Sequence, residues 1–243
     1  MKPVGRREVV APPRAAEVVD PKKVSTGSSP PAARADGYAG SGAPISKLGG
    51  KTADGLKQVV TLAEAKALFD TLASAPDIPH KFIDEGCHFR AHVEAKRLEE
   101  AGVYSEKIFI LPEASDLKIL SPEHPLGFTL GIFHTAPCIN VQLEDGRVER
   151  RVIDPSLFKG PVPEETWARS MHGLNQKPCE IFYLPRFALH LSDRKAPPSA
   201  WRKEDLADAT AWNTQYQEVQ KDMVASGFYD HLQELVKEFE VVP

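Results

Sequence analysis

A cysteine stands where a predicted loop meets a predicted helix. Residues 84–92 are DEGCHFRAH, and helix formers continue beyond them. Asp84 and Gly86 are residue types that end a loop and admit a helix start. A thiol at a helix start lies near the positive end of the helix dipole, which can lower a cysteine pKa from about 8.5 to roughly 3.5–7.5. The position predicts a nucleophilic Cys87; the alternative is a small residue packed at a helix start.

A histidine and an aspartate further along the chain could complete the site, since a thiol nucleophile needs a base and the base needs an orienting group. His134 is predicted to end one strand, and Asp154 to end the strand that returns from an Asp-Gly turn at 145–146. With the turn centred there, Asp154 lies opposite Pro137, an offset of roughly 10 Å from His134. A bulge at 136–137 would bring the pair together, because proline cannot donate to the ladder. The alternatives are a structural strand-end histidine and a turn-forming aspartate.

Five other side chains are candidates with less in their favour. His88 and His92 are close to the cysteine in sequence, but a helical neighbour points away from the helix end. His92 is therefore predicted to pack or to face solvent. Arg90 is predicted to serve structure, with pairing to a carboxylate as the alternative. His190 and Asp193 are a second-choice base and orienter.

The hydrophobic pattern predicts the elements that must position these residues. Residues 61–64 fit a capping box and open a helix that ends near Ala75, and Gly102 closes the cysteine helix. A short helix is expected at 164–171. Strands are predicted at 107–111, 127–134, 138–143 (separated from the preceding one at Pro137), 148–153 and 179–184. Helices mixed with an antiparallel sheet indicate an α+β domain.

Composition bounds the organisation of the 243-residue chain. Residues 1–55 are rich in Pro, Gly and Ser and are predicted to be disordered. Residues 56–198 are predicted to form the catalytic domain. Residues 199–243 are predicted to be two amphipathic helices, over 206–223 and 228–239, that pack on it.

Composition also narrows the classes of function. A net charge of −4 gives no reason to expect nucleic acid as a partner. Three cysteines are too few for a disulfide framework, although a Cys138–Cys179 bridge is possible. No apolar run is long enough to span a membrane, and the start lacks the apolar core of a signal peptide. We therefore expect a cytoplasmic protein, a protein exported by a non-Sec route, or a fragment.

Three segments resemble the bacterial protein-glutaminase family. Residues 85–92 resemble its cysteine motif, an acidic-Gly-Cys segment followed by Arg-Ala-His. Residues 133–137 resemble its histidine strand, and residues 152–158, with the string Ile-Asp-Pro-Ser-Leu-Phe, resemble its aspartate segment. The similarity runs from about residue 82 to residue 167, in the same Cys, His, Asp order.

This resemblance implies a transglutaminase-like core related to papain-type folds, with Cys87 as nucleophile, His134 as base and acid, and Asp154 as orienter. It also implies hydrolysis of glutamine side-chain amides in a protein partner, through a thioester and with release of ammonia. The Cys87 backbone N–H would be an oxyanion donor, worth about 3–4 kcal/mol of barrier. No metal or organic cofactor is needed.

Three other functions stay open at this stage. A transglutaminase uses the same triad but lets a lysine amine resolve the thioester, and a cysteine peptidase would cleave the backbone. An inactive fold could serve as a binding module, with its terminal helices as the interaction surface. Secreted protein-glutaminases carry a signal peptide and a folded pro-region, whereas a low-complexity segment stands here. We therefore hypothesise an effector or toxin-like deamidase.

Overall fold

A computed structural model describes residues 50–81, 84–113, 115–121, 124, 127–174, 177–228 and 230–231. Residues 1–49, most of the segment predicted to be disordered, lie outside the described residues. So does most of the second predicted C-terminal helix, because residues 229 and 232–243 are outside as well. None of the described helices is long and apolar enough to cross a membrane.

Local signals set the two helices nearest the site. Helix α1 spans Leu62–Ala73 and opens with the predicted capping box, in which the Glu64 N–H donates to Thr61 Oγ1 at 3.2 Å. It ends two residues before the predicted Ala75, because the Ser74 N–H closes onto the carbonyls of the last turn. Helix α2 spans Cys87–Glu100 and is closed as predicted, with Gly102 at a φ of +78°.

The main sheet carries the histidine and the aspartate at its centre. Its strands are β1 Val59–Thr61, β2 Glu106–Pro112, β5 His134–Gln142, β6 Val148–Val152, β7 Val162–Pro163 and β9 Cys179–Pro185. They lie in the order β7-β6-β5-β2-β9 with antiparallel neighbours, and β1 pairs with β5 in parallel. The predicted α+β class is confirmed.

A second sheet of three strands corrects the predicted course of residues 127–143. It contains β3 Leu117–Leu120, β4 Phe128–Gly131 and β8 Met171–Gly173, in the order β4-β3-β8. The predicted strand 127–134 is therefore divided: β4 belongs to this small sheet, and His134 begins β5 instead of ending a strand. The predicted interruption at Pro137 is wrong, since β5 runs through it.

Proline fits inside β5 because of where its missing N–H would point. The Pro137 carbonyl accepts from the Ile153 N–H at 2.9 Å, one residue beyond the end of β6. In an antiparallel ladder the N–H and C=O of one residue face the same neighbour. The absent donor therefore falls at the end of the β5–β6 ladder and interrupts no pairing with β2, where Pro137 lies opposite Lys107.

Side chains from the two faces of the main sheet build two cores. On one face, Ile139 and Val141 pack with Phe69 of α1 and Leu98 of α2. On the other face, residues of β2 and β5 pack with the small sheet and with helix α3 (Glu164–Arg169). Helix α3 ends two residues before its predicted end, because Met171 already belongs to β8.

Helix α4, Lys203–Ala225, corresponds to the first predicted C-terminal helix and packs across α2. Its Trp212 stacks on Phe89 with a centroid separation of 5.2 Å. Tyr216, one turn further along, donates its hydroxyl to a Glu85 carboxylate oxygen at 3.0 Å. Helix α4 thus contacts the residues on both sides of Cys87.

Candidate active site

The cysteine occupies the first position of α2. Gly86 precedes it in the left-handed conformation, with φ +71° and ψ 17°. The thiol therefore lies at the positive end of the helix dipole, where the first N–H groups have no acceptor within the helix. It is half-buried, and its Sγ lies 3.9 Å from the Phe133 carbonyl oxygen. These N–H groups are therefore candidate donors to an oxyanion formed at Cys87.

The imidazole of His134 connects the thiol to two buried partners. Nε2 of His134 lies 2.8 Å from Oδ2 of Asp154, and the Trp167 indole N–H donates to the same oxygen at 2.9 Å. A carboxylate only accepts, so the proton of the neutral ring is on Nε2. Nδ1 is then the nitrogen available to Cys87, with which His134 is hydrogen-bonded. Trp167 also stacks on the ring, at a centroid distance of 5.7 Å.

The β5–β6 hairpin explains how His134 and Asp154 meet. Its loop has three residues, 144–146, because the Leu143 N–H donates to the Arg147 carbonyl at 2.8 Å. Gly146 has a φ of +83°, as the third position of such a loop requires. The pairing is therefore shifted by one residue from the prediction, with Cys138 opposite Val152.

This shift replaces the expected bulge. Continuing the register puts Asp154 opposite Ala136, two residues from His134 instead of three. An even offset keeps both side chains on one face of the sheet, whereas an odd offset would separate them. The register of β5 is uniform against both β2 and β6, so the bulge predicted at 136–137 is absent from these paired strands.

Burial and charge act against each other in the site. Burial alone would raise the pKa of the Cys87 thiol, but hydrogen bonds to His134 and His88 and the charges of His134 and Arg90 lower this pKa to about 6. Burial would lower the pKa of His134, but the charge and hydrogen bond of Asp154 raise it to about 9. The thiolate–imidazolium pair is therefore favoured around neutral pH.

The aspartate stays ionised despite being buried. Burial raises the pKa of Asp154, but the charge of His134 and the hydrogen bonds from His134 and Trp167 outweigh it and lower the pKa below its usual range. The carboxylate can thus hold the His134 ring in one tautomer and stabilise the imidazolium.

Helix α2 contributes two buried charged residues to the site, Arg90 and Glu94. Arg90 was predicted to serve structure, and Glu94 was not among the predicted candidates. Arg90 is 2% exposed and Glu94 is 3% exposed, although such residues are rarely buried without partners. Cys87, Arg90 and Glu94 follow at spacings of three and four, so they share one helix face. That spacing was the signal available in the sequence. Trp167 carried no comparable signal, because its role depends on the distant Asp154.

The remaining candidates lie elsewhere or act differently from the predictions. His88 does not point away, because it is hydrogen-bonded to the Cys87 thiol. His92 packs in the interior, with Nδ1 at 2.8 Å from the Lys107 ammonium. His190 is exposed, and Asp193 accepts from the backbone N–H groups of residues 189 and 190, so they do not form a base–orienter pair.

The possible Cys138–Cys179 disulfide is not formed. All three cysteines are free thiols. Cys138 is buried in the core beneath β5, and burial raises the pKa of its thiol. Cys179 is half-buried at the start of β9. Neither contributes to the site around Cys87.

A thiol beside a histidine that is oriented by a carboxylate is the constellation of a cysteine nucleophile with its base. The glutaminase family model matches residues 65–171, the segment that carries Cys87, His134 and Asp154. No curated protein matches the chain. The predicted resemblance to the protein-glutaminase family is therefore confirmed over this segment.

Solved structures of protein-glutaminases have a similar fold. A crystal structure of pro-protein-glutaminase is 22% identical with a TM-score of 0.57, and the match covers 70% of this chain and 62% of that chain. A crystal structure of protein-glutaminase is 21% identical with a TM-score of 0.55, covering 66% and 89%. The NMR structure of protein-glutaminase from Chryseobacterium proteolyticum is 22% identical with a TM-score of 0.54, covering 65% and 89%. The match thus spans about three-fifths of the pro-enzyme's length.

Proposed function

We propose that the protein hydrolyses the side-chain amide of glutamine residues in other proteins, leaving glutamate and releasing ammonia. The observation that carries the proposal is the buried hydrogen bond between Asp154 and His134 beside a half-buried thiol, Cys87, at a helix start. The match of the glutaminase family model to the same segment supports it.

The mechanism follows from the protonation states. The Cys87 thiolate attacks the carboxamide carbon, and the carbonyl oxygen becomes an oxyanion beside the N–H groups of the first turn of α2. The imidazolium of His134 gives its Nδ1 proton to the departing nitrogen, which leaves as ammonia, and a thioester remains. The ring then takes a proton from water, whose oxygen attacks the thioester. The thiolate leaves and the glutamate side chain is released.

Asp154 and Trp167 keep the imidazole ready for both proton transfers. The Asp154 carboxylate accepts the Nε2–H of His134, with 2.8 Å between Nε2 and Oδ2, so that Nδ1 alone exchanges protons with the thiol, the leaving group and water. The Trp167 N–H fixes the carboxylate oxygen that does this. These steps use side chains and backbone N–H groups of the protein together with water, and the proposal includes no cofactor.

The decisive experiment combines ammonia release with intact-mass analysis of a glutamine-rich protein substrate. The wild type should release ammonia and produce the small mass gain expected from exchange of NH₂ for OH, while Cys87→Ala should do neither. Cys179→Ala is the matched control, because it removes a half-buried thiol outside the site, and it should behave like the wild type.

Other outcomes would replace the proposal. Ammonia release with cross-linked products would indicate a transglutaminase, and new peptide termini would indicate a peptidase. Absence of products together with a Cys87 thiol that alkylates slowly at mildly acidic pH would indicate a binding module.

The effector or toxin-like role belongs to the same proposal at a finer level, with a protein of another cell as the substrate. It is supported by the Pro/Gly/Ser-rich composition of residues 1–55, which predicts a segment without a packed core. A proteome-wide search of exposed cells should find Gln-to-Glu conversion in a small set of proteins. Finding none would refute this role and leave the enzymatic proposal intact.

A further inference from the structure

A buried cation lies one helical turn beyond the nucleophile. Arg90 is 2% exposed, and its Nη1 donates to the Glu85 carbonyl at 2.7 Å, immediately before the left-handed Gly86. Its guanidinium therefore holds the backbone that leads into the first position of α2. A neutral donor could make this hydrogen bond, so the hydrogen bond alone does not require a buried charge.

The charges around Arg90 explain why a positive charge is needed at this position. Those that act on the guanidinium come from three parts of the chain: Cys87 and Glu94 on α2, Asp154 after β6, and Asp84 in the loop before α2. Asp84 itself is held at the small sheet, where Thr129 donates to its carboxylate at 2.6 Å. Every one of these groups is an acid.

Counting the buried charges shows what Arg90 balances. In the reactive state Cys87 is a thiolate, His134 an imidazolium and Asp154 a carboxylate, a sum of one negative charge. Burial, followed by the charge of Asp154, raises the pKa of Glu94 to about 8, so Glu94 is mostly neutral at pH 7. Arg90 brings the sum of these buried groups to zero, and an uncompensated buried charge is costly. Asp84 is not counted, because its side chain is 36% exposed.

We propose that Arg90 is a positioning residue of the site, whose fixed positive charge balances Asp154 and so allows the Cys87 thiolate and His134 imidazolium to form inside the protein. The inference rests on the proposed function in taking Cys87 as the nucleophile. Arg90 acts through charge and through the Glu85 carbonyl and needs no contact with the substrate. A lysine could supply the charge without the same hydrogen-bonding geometry.

The test measures the Cys87 thiol without any substrate. The rate of alkylation by iodoacetamide is followed from pH 4 to pH 9, and the labelled residue is identified by peptide mass spectrometry. The midpoint of the wild-type profile should lie near pH 6, because the pKa of the Cys87 thiol is about 6. In Arg90→Gln the midpoint should rise by about one unit or more, which slows labelling at pH 6 about fivefold or more.

Two variants separate charge from structure. Arg90→Lys should keep a midpoint close to that of the wild type, even if its kcat/KM falls. Arg97→Gln removes an arginine from the same helix where it pairs with Asp77 near the surface, and it should leave the midpoint unchanged. An unmoved midpoint in folded Arg90→Gln, or an equal shift in Arg97→Gln, would overturn the inference.

A further variant covers the case in which Arg90→Gln does not fold. Arg90→Gln combined with Asp154→Asn removes one positive and one negative buried charge, so the double variant should be more stable than Arg90→Gln alone. A double variant that is no more stable would overturn the inference. An ordinary thiol midpoint in the wild type would instead overturn the proposed function, so the two failures are distinguishable.

Discussion

Replacing Glu94 by glutamine should make the protein's stability less dependent on pH. The Glu94 carboxyl is buried beneath the site, with Oε1 3.5 Å from Nδ1 of His80. Nε2 of His80 donates to the Leu72 carbonyl at 3.0 Å, so Nδ1 is the acceptor in the neutral ring. The glutamine amide is neutral at every pH and has nearly the same shape as the neutral carboxylic acid. The substitution therefore removes the titration and keeps the shape.

The size of the effect follows from the pKa of Glu94. Burial, with a further contribution from the charge of Asp154, raises the pKa of Glu94 to about 8 in the folded protein. Because this pKa lies above the unfolded value of about 4.3, its stabilising contribution is complete below pH 4 and is lost as the pH rises toward 8. From pH 4 to pH 7 the loss is about 3 kcal/mol, at 1.36 kcal/mol per unit.

The assay is urea unfolding at several pH values between 4.5 and 8. As the pH increases, the free energy of unfolding of Glu94→Gln should become larger relative to that of the wild type, because only the wild type loses stability through this carboxyl group. Glu100→Gln is the matched control, because it removes a carboxylate from an exposed position at the end of the same helix, and its difference from the wild type should stay small. A wild-type-minus-variant difference for Glu94→Gln that is constant with pH would refute the reasoning.

Three further predictions concern the site itself. The kcat/KM for deamidation should rise through about pH 6 and fall through about pH 9, following the pKa of Cys87 and of His134, and a profile without both limbs would contradict the ion pair. Trp167→Phe removes the N–H that donates to Asp154 and should lower kcat/KM about tenfold, the equivalent of about 1.4 kcal/mol. An unchanged kcat/KM would show that the Asp154 carboxylate keeps its position without this hydrogen bond. Gly86→Ala puts a methyl group into the Trp212 ring and gives an alanine a positive φ. Thermal unfolding should show that the free energy of unfolding falls by at least about 1–2 kcal/mol, and an unaltered melting temperature would contradict this.

The sequence was sufficient wherever a signal and its structural result are close in the chain. The capping box at Thr61 and the glycine that closes α2 are decided within one helical turn, and both are found where predicted. The same holds for the helix start at Cys87, because Gly86 needs only its own backbone conformation to end the loop.

Features that depend on distant partners could not be obtained in this way. Residues 127–134 have one continuous apolar pattern, yet β4 pairs with β3 and β5 pairs with β2 in another sheet. Packing against distant residues determines which strand each of them pairs with, and a local hydrophobic pattern carries no information about that packing. Glu94 was missed for a related reason: its spacing places it on the helix face of Cys87 and Arg90, but only the assembled core shows that this face is buried.

The hairpin register shows how a local ambiguity reaches the chemistry. An Asp-Gly pair suits a two-residue loop and also the end of a three-residue loop, since glycine adopts a positive φ in both. The hydrophobic pattern cannot decide between them, because Val152 and Ile153 are both fully buried, one on each face of the sheet. Either residue could have faced the core that contains Cys138. The three-residue loop puts Val152 there, and Asp154 then shares the face of His134; a loop one residue shorter would turn the carboxylate away from the imidazole.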